Sequence, residues 1–92
     1  MSILPTEKKI KVNKGDILLK QGQITKHGYL VKTGCLKSYT LDNNGKEHIL
    51  QFAPENWMIS DLDSFTNQIP SVIFIEAIED SEVAFISKSE FN

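Results

Sequence analysis

Arginine does not occur anywhere in this chain, and no lysine lies between Lys46 and Lys88. The stretch between them has no permanent cation with which to grip a phosphate or a nucleic-acid backbone. The net charge of −2 points the same way and argues against autonomous nucleic-acid binding. Cysteine is nearly absent as well. A lone Cys35 excludes an internal disulfide and fits a reducing compartment. With His27 and His48 it shows none of the clustered spacing of a zinc site, so no metal and no catalytic residue is expected. No apolar run approaches transmembrane length, and Met1-Ser2-Ile3-Leu4-Pro5 lacks the charged start and long apolar run of a signal peptide. The expectation is a cytoplasmic chain without membrane contact.

What is present is an ordinary globular composition, 40% hydrophobic and 24% charged, in 92 residues. That length suits one domain spanning residues 1–92. Turn signals cut the chain at short intervals. Ile10-Lys11-Val12 stops at Asn13-Lys14-Gly15-Asp16, and Ile17-Leu18-Leu19 ends at Gln21-Gly22-Gln23. Gly28 to Val31 runs into Thr33-Gly34, and Cys35 to Leu41 meets Asp42-Asn43-Asn44-Gly45, the strongest hairpin signal. His48 to Phe52 returns from it, Val72 to Ile75 follows Pro70, and Val83 to Ile86 follows Asp80-Ser81. Many short strands at near-even spacing predict a mainly β protein, a small sandwich, barrel or roll. Nine of the ten lysines fall in residues 1–46 and are read as a solvated basic face. Trp57, Phe65 and Phe74 are expected as core or pocket wall.

One short helix signal interrupts the strands. Ser60 can cap its start, and Asp63 three places on completes a capping-box pattern over Ser60-Asp61-Leu62-Asp63-Ser64-Phe65. Such a start suits an anion, yet here it is surrounded by acids. Ser87-Lys88-Ser89-Glu90 is a second capping box, so a helix is expected to begin there and the protein to continue beyond Asn92.

In order and spacing, Lys14-Gly15-Asp16, Gln21-Gly22, Lys32-Thr33-Gly34, the Gly45-Lys46-Glu47 hairpin and Glu82-Val83-Ala84-Phe85-Ile86-Ser87 resemble the effector-sensing domain of Crp/Fnr-type transcriptional regulators, the cyclic nucleotide-binding β-roll. The resemblance runs from about Lys9 to Phe91. It implies an antiparallel double-stranded β-helix (a jelly roll) with a short helix in the phosphate-cassette position and the start of a C-terminal helix. The family's Phe, apolar, Gly, Glu, Leu motif stands here as Met58-Ile59-Ser60-Asp61-Leu62, and its phosphate-gripping arginine with the following serine or threonine stands as Ser71-Val72. A buried phosphate without a cation lacks the charge-assisted bonds that offset its desolvation. Neither cyclic AMP nor cyclic GMP is therefore expected to bind with useful affinity, and the small-molecule effector stays unidentified. The expected ligand-binding set is Ser38, Leu50, Ser60, Asp61, Leu62, Ser71 and Val72, a lining better suited to a neutral or cationic molecule. DNA would be reached only through a C-terminal domain beyond this chain, and the full-length protein would pair as a homodimer. The alternative is a ligand-free interaction or dimerisation module of the same fold.

Overall fold

The computed structural model describes residues 9–87. Eight strands form two four-stranded antiparallel sheets. They are β1 (Lys9–Val12), β2 (Ile17–Leu19), β3 (His27–Thr33), β4 (Leu36–Leu41), β5 (Glu47–Ala53), β6 (Met58–Ile59), β7 (Phe74–Ala77) and β8 (Ser81–Ser87). One helix, α1 (Leu62–Asn67), falls between β6 and β7. The strand orders are β1-β8-β3-β6 in one sheet and β2-β7-β4-β5 in the other. Consecutive strands thus alternate between sheets, except where the β4–β5 hairpin stays in one.

Alternation of side chains makes the core. Leu36 and Ala77 face each other across β4 and β7, as do Ser38 and Ile75. All four are buried, and Leu36, Ile75 and Ala77 are fully so. From the other sheet, Val31 opposes Val83, and Tyr29 lies opposite both Phe85 and Ile59. These inward rows join Val12, Leu19, Ala53 and Ile73 in one apolar cluster between the layers.

The turns have local causes. Gly34 links β3 to β4 at φ +91°, and a Cβ there would lie 2.7 Å from the Asp80 carbonyl oxygen and collide with the Ser81 side chain. Only glycine fits both the backbone and the space. The hairpin expected at Asp42 to Gly45 forms, as a five-residue loop held by its first residue. The Asp42 carboxylate accepts the Asn44 and Lys46 N–H groups at 2.9 Å each, and it also contacts His48 Nε2 at 3.0 Å. The His48 hydrogen bond, then the Lys46 N–H, holds this carboxyl below its ordinary pKa.

Two boundaries differ from the sequence reading. The strand expected from Val72 begins at Phe74, because residues 70–72 are bonded sideways to the β2–β3 turn and Ile73 to the Ser71 hydroxyl instead. The two-residue β6 carries too short a pattern to be seen in sequence; it exists because Val31 N–H binds the Trp57 carbonyl at 2.9 Å and Asn56 N–H binds that of Val31 at 2.7 Å. Trp57 itself is 55% exposed and outside the core, whereas Phe65 is buried and Phe74 stacks on Tyr39 at 5.2 Å. The helix expected over residues 87–90 reaches outside the described residues; Ser87 ends β8. Lys9, Lys11, Lys14, Lys20, Lys26 and Lys46 are exposed, whereas Lys32 and Lys37 are half-buried and Lys37 pairs with Glu47 at 2.7 Å.

On the outer face of the second sheet, Tyr39 donates its phenol to Glu76 at 2.9 Å, with Lys37 Nζ 4.9 Å above its ring. Burial first, then the Glu76 hydrogen bond and the charges of Glu76 and Glu47, push its pKa up to about 12. Burial also raises Tyr29. The folded state therefore holds these protons more tightly than the unfolded chain. The resulting stability is complete below the ordinary value of 10 and is lost as pH climbs from there to about 12. An absorbance titration of the chain's two tyrosines should show no phenolate forming at the ordinary midpoint while the protein stays folded. Ionisation of Tyr39 near pH 10 in folded protein would contradict the Glu76 contact.

Candidate functional site

A six-residue helix is too short to persist alone, because nucleation fixes several residues for few hydrogen bonds. α1 is stabilised at both ends and from below. Its N-cap is Asp61, one residue later than the expected Ser60: the Asp61 carboxylate accepts the Ser64 N–H at 3.1 Å. Ser60 is displaced from that role because its hydroxyl turns to the His27 carbonyl at 3.3 Å. Asp63 lies in the first turn and accepts from the Asn67 side chain at 2.7 Å, away from the cap. At the other end Gln68 takes the left-handed conformation (φ 54°) and gives its N–H to the Ser64 carbonyl. Phe65 is buried beneath the helix, which stabilises it by about 1.5–3 kcal/mol.

Ser64 and Ser71 knit the helix to the roll. Buried Ser64 accepts the Thr25 N–H at 2.9 Å and donates to the Ile69 carbonyl. Gln68 Nε2 donates to the Thr25 carbonyl at 3.2 Å. Ser71, 2% exposed, uses every polar group it has. Its N–H goes to the Gln23 carbonyl and its carbonyl accepts from Gly22 N–H, both at 2.7 Å. Its hydroxyl lies 2.7 Å from Asp61 Oδ2 and accepts the Ile73 N–H at 3.1 Å.

Beside the start of the helix, Gln51, Met58, Ile59, Ser60 and Leu62 line a cavity of about 170 Å³. Gln51 Nε2 donates to the Met58 carbonyl at 3.2 Å and joins its two walls. Drug-sized ligands occupy pockets of roughly 300–1,000 Å³, so this one suits something nearer a single aromatic ring. Three larger depressions include no residue of the 60–72 segment: those of 380 and 510 Å³, which meet at Leu18 and Tyr29, and one of 310 Å³ between the β1–β2 turn and the start of β8.

Of the residues expected to bind ligand, Ser60 and Leu62 share the smaller cavity, and Asp61 and Ser71 are hydrogen-bonded to each other. Ser38 is buried on the inner face, directly opposite Gln51. Leu50 has no partner in the β4–β5 register, since Ser38 pairs with Gln51 and Tyr39 with Ile49; it is the extra residue of a β-bulge and 58% exposed. Val72 is 63% exposed. Sequence reasoning passed over Gln51, Met58 and Ile59 as lining residues. Simple alternation places Leu50 beside Ser38, and the bulge moves that place to Gln51.

Comparison with known proteins agrees with this geometry. Residues 9–92 match the family model of the cyclic nucleotide-binding domain. The chain belongs to that family, and its β-roll is related to those of the Crp/Fnr-type regulators. It is 36% identical over 81 residues to the fumarate and nitrate reduction regulatory protein of Yersinia pestis, covering 87% of this chain and 31% of that protein. It is 26% identical over 82 residues to the anaerobic regulatory protein of Bacillus subtilis, covering 89% of this chain and 34% of that one. The chain thus spans about a third of the length of these relatives. The sensor domain of the transcriptional regulator DNR from Pseudomonas aeruginosa superposes with a TM-score of 0.83 at 23% identity, covering 94% of this chain and 57% of that one.

One polar atom under α1 is unmatched. The Thr25 hydroxyl is buried and has no hydrogen-bond partner among the described residues, although the Thr25 N–H and carbonyl are both bonded. Thr25→Val keeps the shape and removes the desolvated hydroxyl, so urea unfolding should show a gain of about 1 kcal/mol. A loss of similar size would mean that the hydroxyl is satisfied.

Proposed function

We propose that this chain is the effector-sensing domain of a Crp/Fnr-type transcriptional regulator whose site has lost the means to bind a cyclic nucleotide. A ligand in the roll would favour one arrangement of the segment after β8, which would position a DNA-reading unit located beyond Asn92. The observation that carries the reading is the 2.7 Å contact between Asp61 and Ser71. Where the family resemblance puts an arginine against a phosphate, this chain puts a hydroxyl against its own carboxylate. Residues 47–87 themselves include no lysine or arginine to take that arginine's place. The neighbouring cavity, lined mainly by Met58, Ile59 and Leu62 with Gln51 and Ser60 as polar groups, suits a small neutral effector. Related regulators support a sensory role over an enzymatic one.

The second reading, a ligand-free interaction module, draws on Ile49, Leu50, Phe52 and Trp57, four large apolar side chains left 42–58% exposed on β5 and just after it. It needs no occupied cavity.

Calorimetry with cyclic AMP and cyclic GMP tests the principal reading. Titration to millimolar nucleotide should give no saturable heat. Clear saturation at micromolar nucleotide would overturn the loss of cyclic nucleotide binding.

A further inference from the structure

We infer that Asn44 is a covalent modification site, and that the Asp42 clamp of the β4–β5 hairpin governs how fast it reacts. Asn44 is the one asparagine of the chain followed by glycine. In such a pair no Cβ on the following residue keeps its nitrogen away from the asparagine side chain. The Gly45 nitrogen attacks Cγ of Asn44 to close a cyclic imide, and the side-chain nitrogen leaves as ammonia with the Gly45 proton. Water then opens the ring at either carbonyl, which leaves aspartate or isoaspartate at position 44. Sterics offer no protection: the loop is exposed, and nothing beyond the chain neighbours of Gly45 lies within 4 Å of where a Cβ would stand on it. Hydrogen bonds do protect. The Gly45 N–H donates to the Asp42 carbonyl at 2.9 Å, so the attacking nitrogen is held in the turn with its proton engaged. Asp42 Oδ1 takes the Asn44 and Lys46 N–H groups at 2.9 Å each, and the Asp42 N–H donates to the Lys46 carbonyl at 3.0 Å. On its other side Oδ2 meets His48 Nε2 at 3.0 Å, which fixes the carboxylate in place. Closing the ring requires this tip to open first.

Neither product fits the closed loop. Aspartate at position 44 puts a second carboxylate on the residue whose N–H binds the Asp42 carboxylate. Isoaspartate lengthens the main chain ahead of Gly45 and breaks the bonding between positions 42 and 46. The reaction thus turns a clamped hairpin tip irreversibly into an open one at the start of β5. The experiment incubates the wild type, Asp42→Ala and Asp42→Asn beside a peptide of residues 41–47. Position 44 is followed by peptide mass mapping and an isoaspartate assay, with thermal melts to confirm that each protein is folded. The wild type should react at least roughly tenfold more slowly than the peptide, and Asp42→Ala at least about threefold faster than the wild type. Asp42→Asn keeps an acceptor oxygen for both N–H groups and should stay near the wild-type rate. No product in any folded protein would overturn Asn44 as a modification site. A wild type as fast as the peptide would overturn protection by the loop. A folded Asp42→Ala as slow as the wild type, or Asp42→Asn as fast as Asp42→Ala, would overturn the assignment of that protection to the Asp42 oxygen.

Discussion

Ser71 is the point on which the functional half of the domain turns. It is almost completely buried, and a buried serine brings a backbone donor, a backbone acceptor and a hydroxyl that must all be satisfied. The β2–β3 turn supplies the first two through Gln23 and Gly22. Asp61 supplies the third. The three bonds tie together segments separated by up to 49 positions, so the loop after α1, the start of α1 and the β2–β3 turn fix one another. A hydrogen bond to a charged acceptor contributes about 1.5–3 kcal/mol, enough to matter for a helix with so few bonds of its own.

In the proposed function the same bond limits what the site can hold. A phosphate site needs donors that are free and a cation that offsets desolvation. Here the donors are used internally and the charge present is negative. The fold is that of a cyclic nucleotide-binding domain, and the proposed loss of its anion chemistry would be one case of a scaffold serving different ligands. What remains is a small apolar recess with Gln51 and Ser60 at its edge.

Most strands were legible in the sequence because they are bounded by residues whose backbone preference is local. Gly34 and the Asp42–Lys46 loop are examples, one forced by close approach and the other by a side chain that caps its own turn. The inner face of β4 was legible up to Ser38, by alternation alone. Past that point legibility failed for a physical reason: a bulge adds Leu50 to one strand without a partner on the other, and nothing in the side-chain pattern announces it. The cap moved from Ser60 to Asp61 because Ser60 found the His27 carbonyl, a contact 33 positions away that no local motif encodes. The resemblance to a known family brought Asp61 and Ser71 to attention as two separate departures from its pattern. That they bond to each other depends on tertiary placement.

The claim that α1 and the following loop are held by the chain itself, with no ligand required, is tested most directly by native-state hydrogen exchange on ligand-free protein. Four amides report it. Ser64 and Phe65 donate to Asp61, Gln68 to Ser64, and Ser71 to Gln23. The account predicts that all four exchange slowly, in the range of the β3, β4 and β8 amides, and that adding cyclic AMP leaves them unchanged. Exchange of these four at the rate of an unprotected chain, with protection appearing only when nucleotide is added, would contradict it.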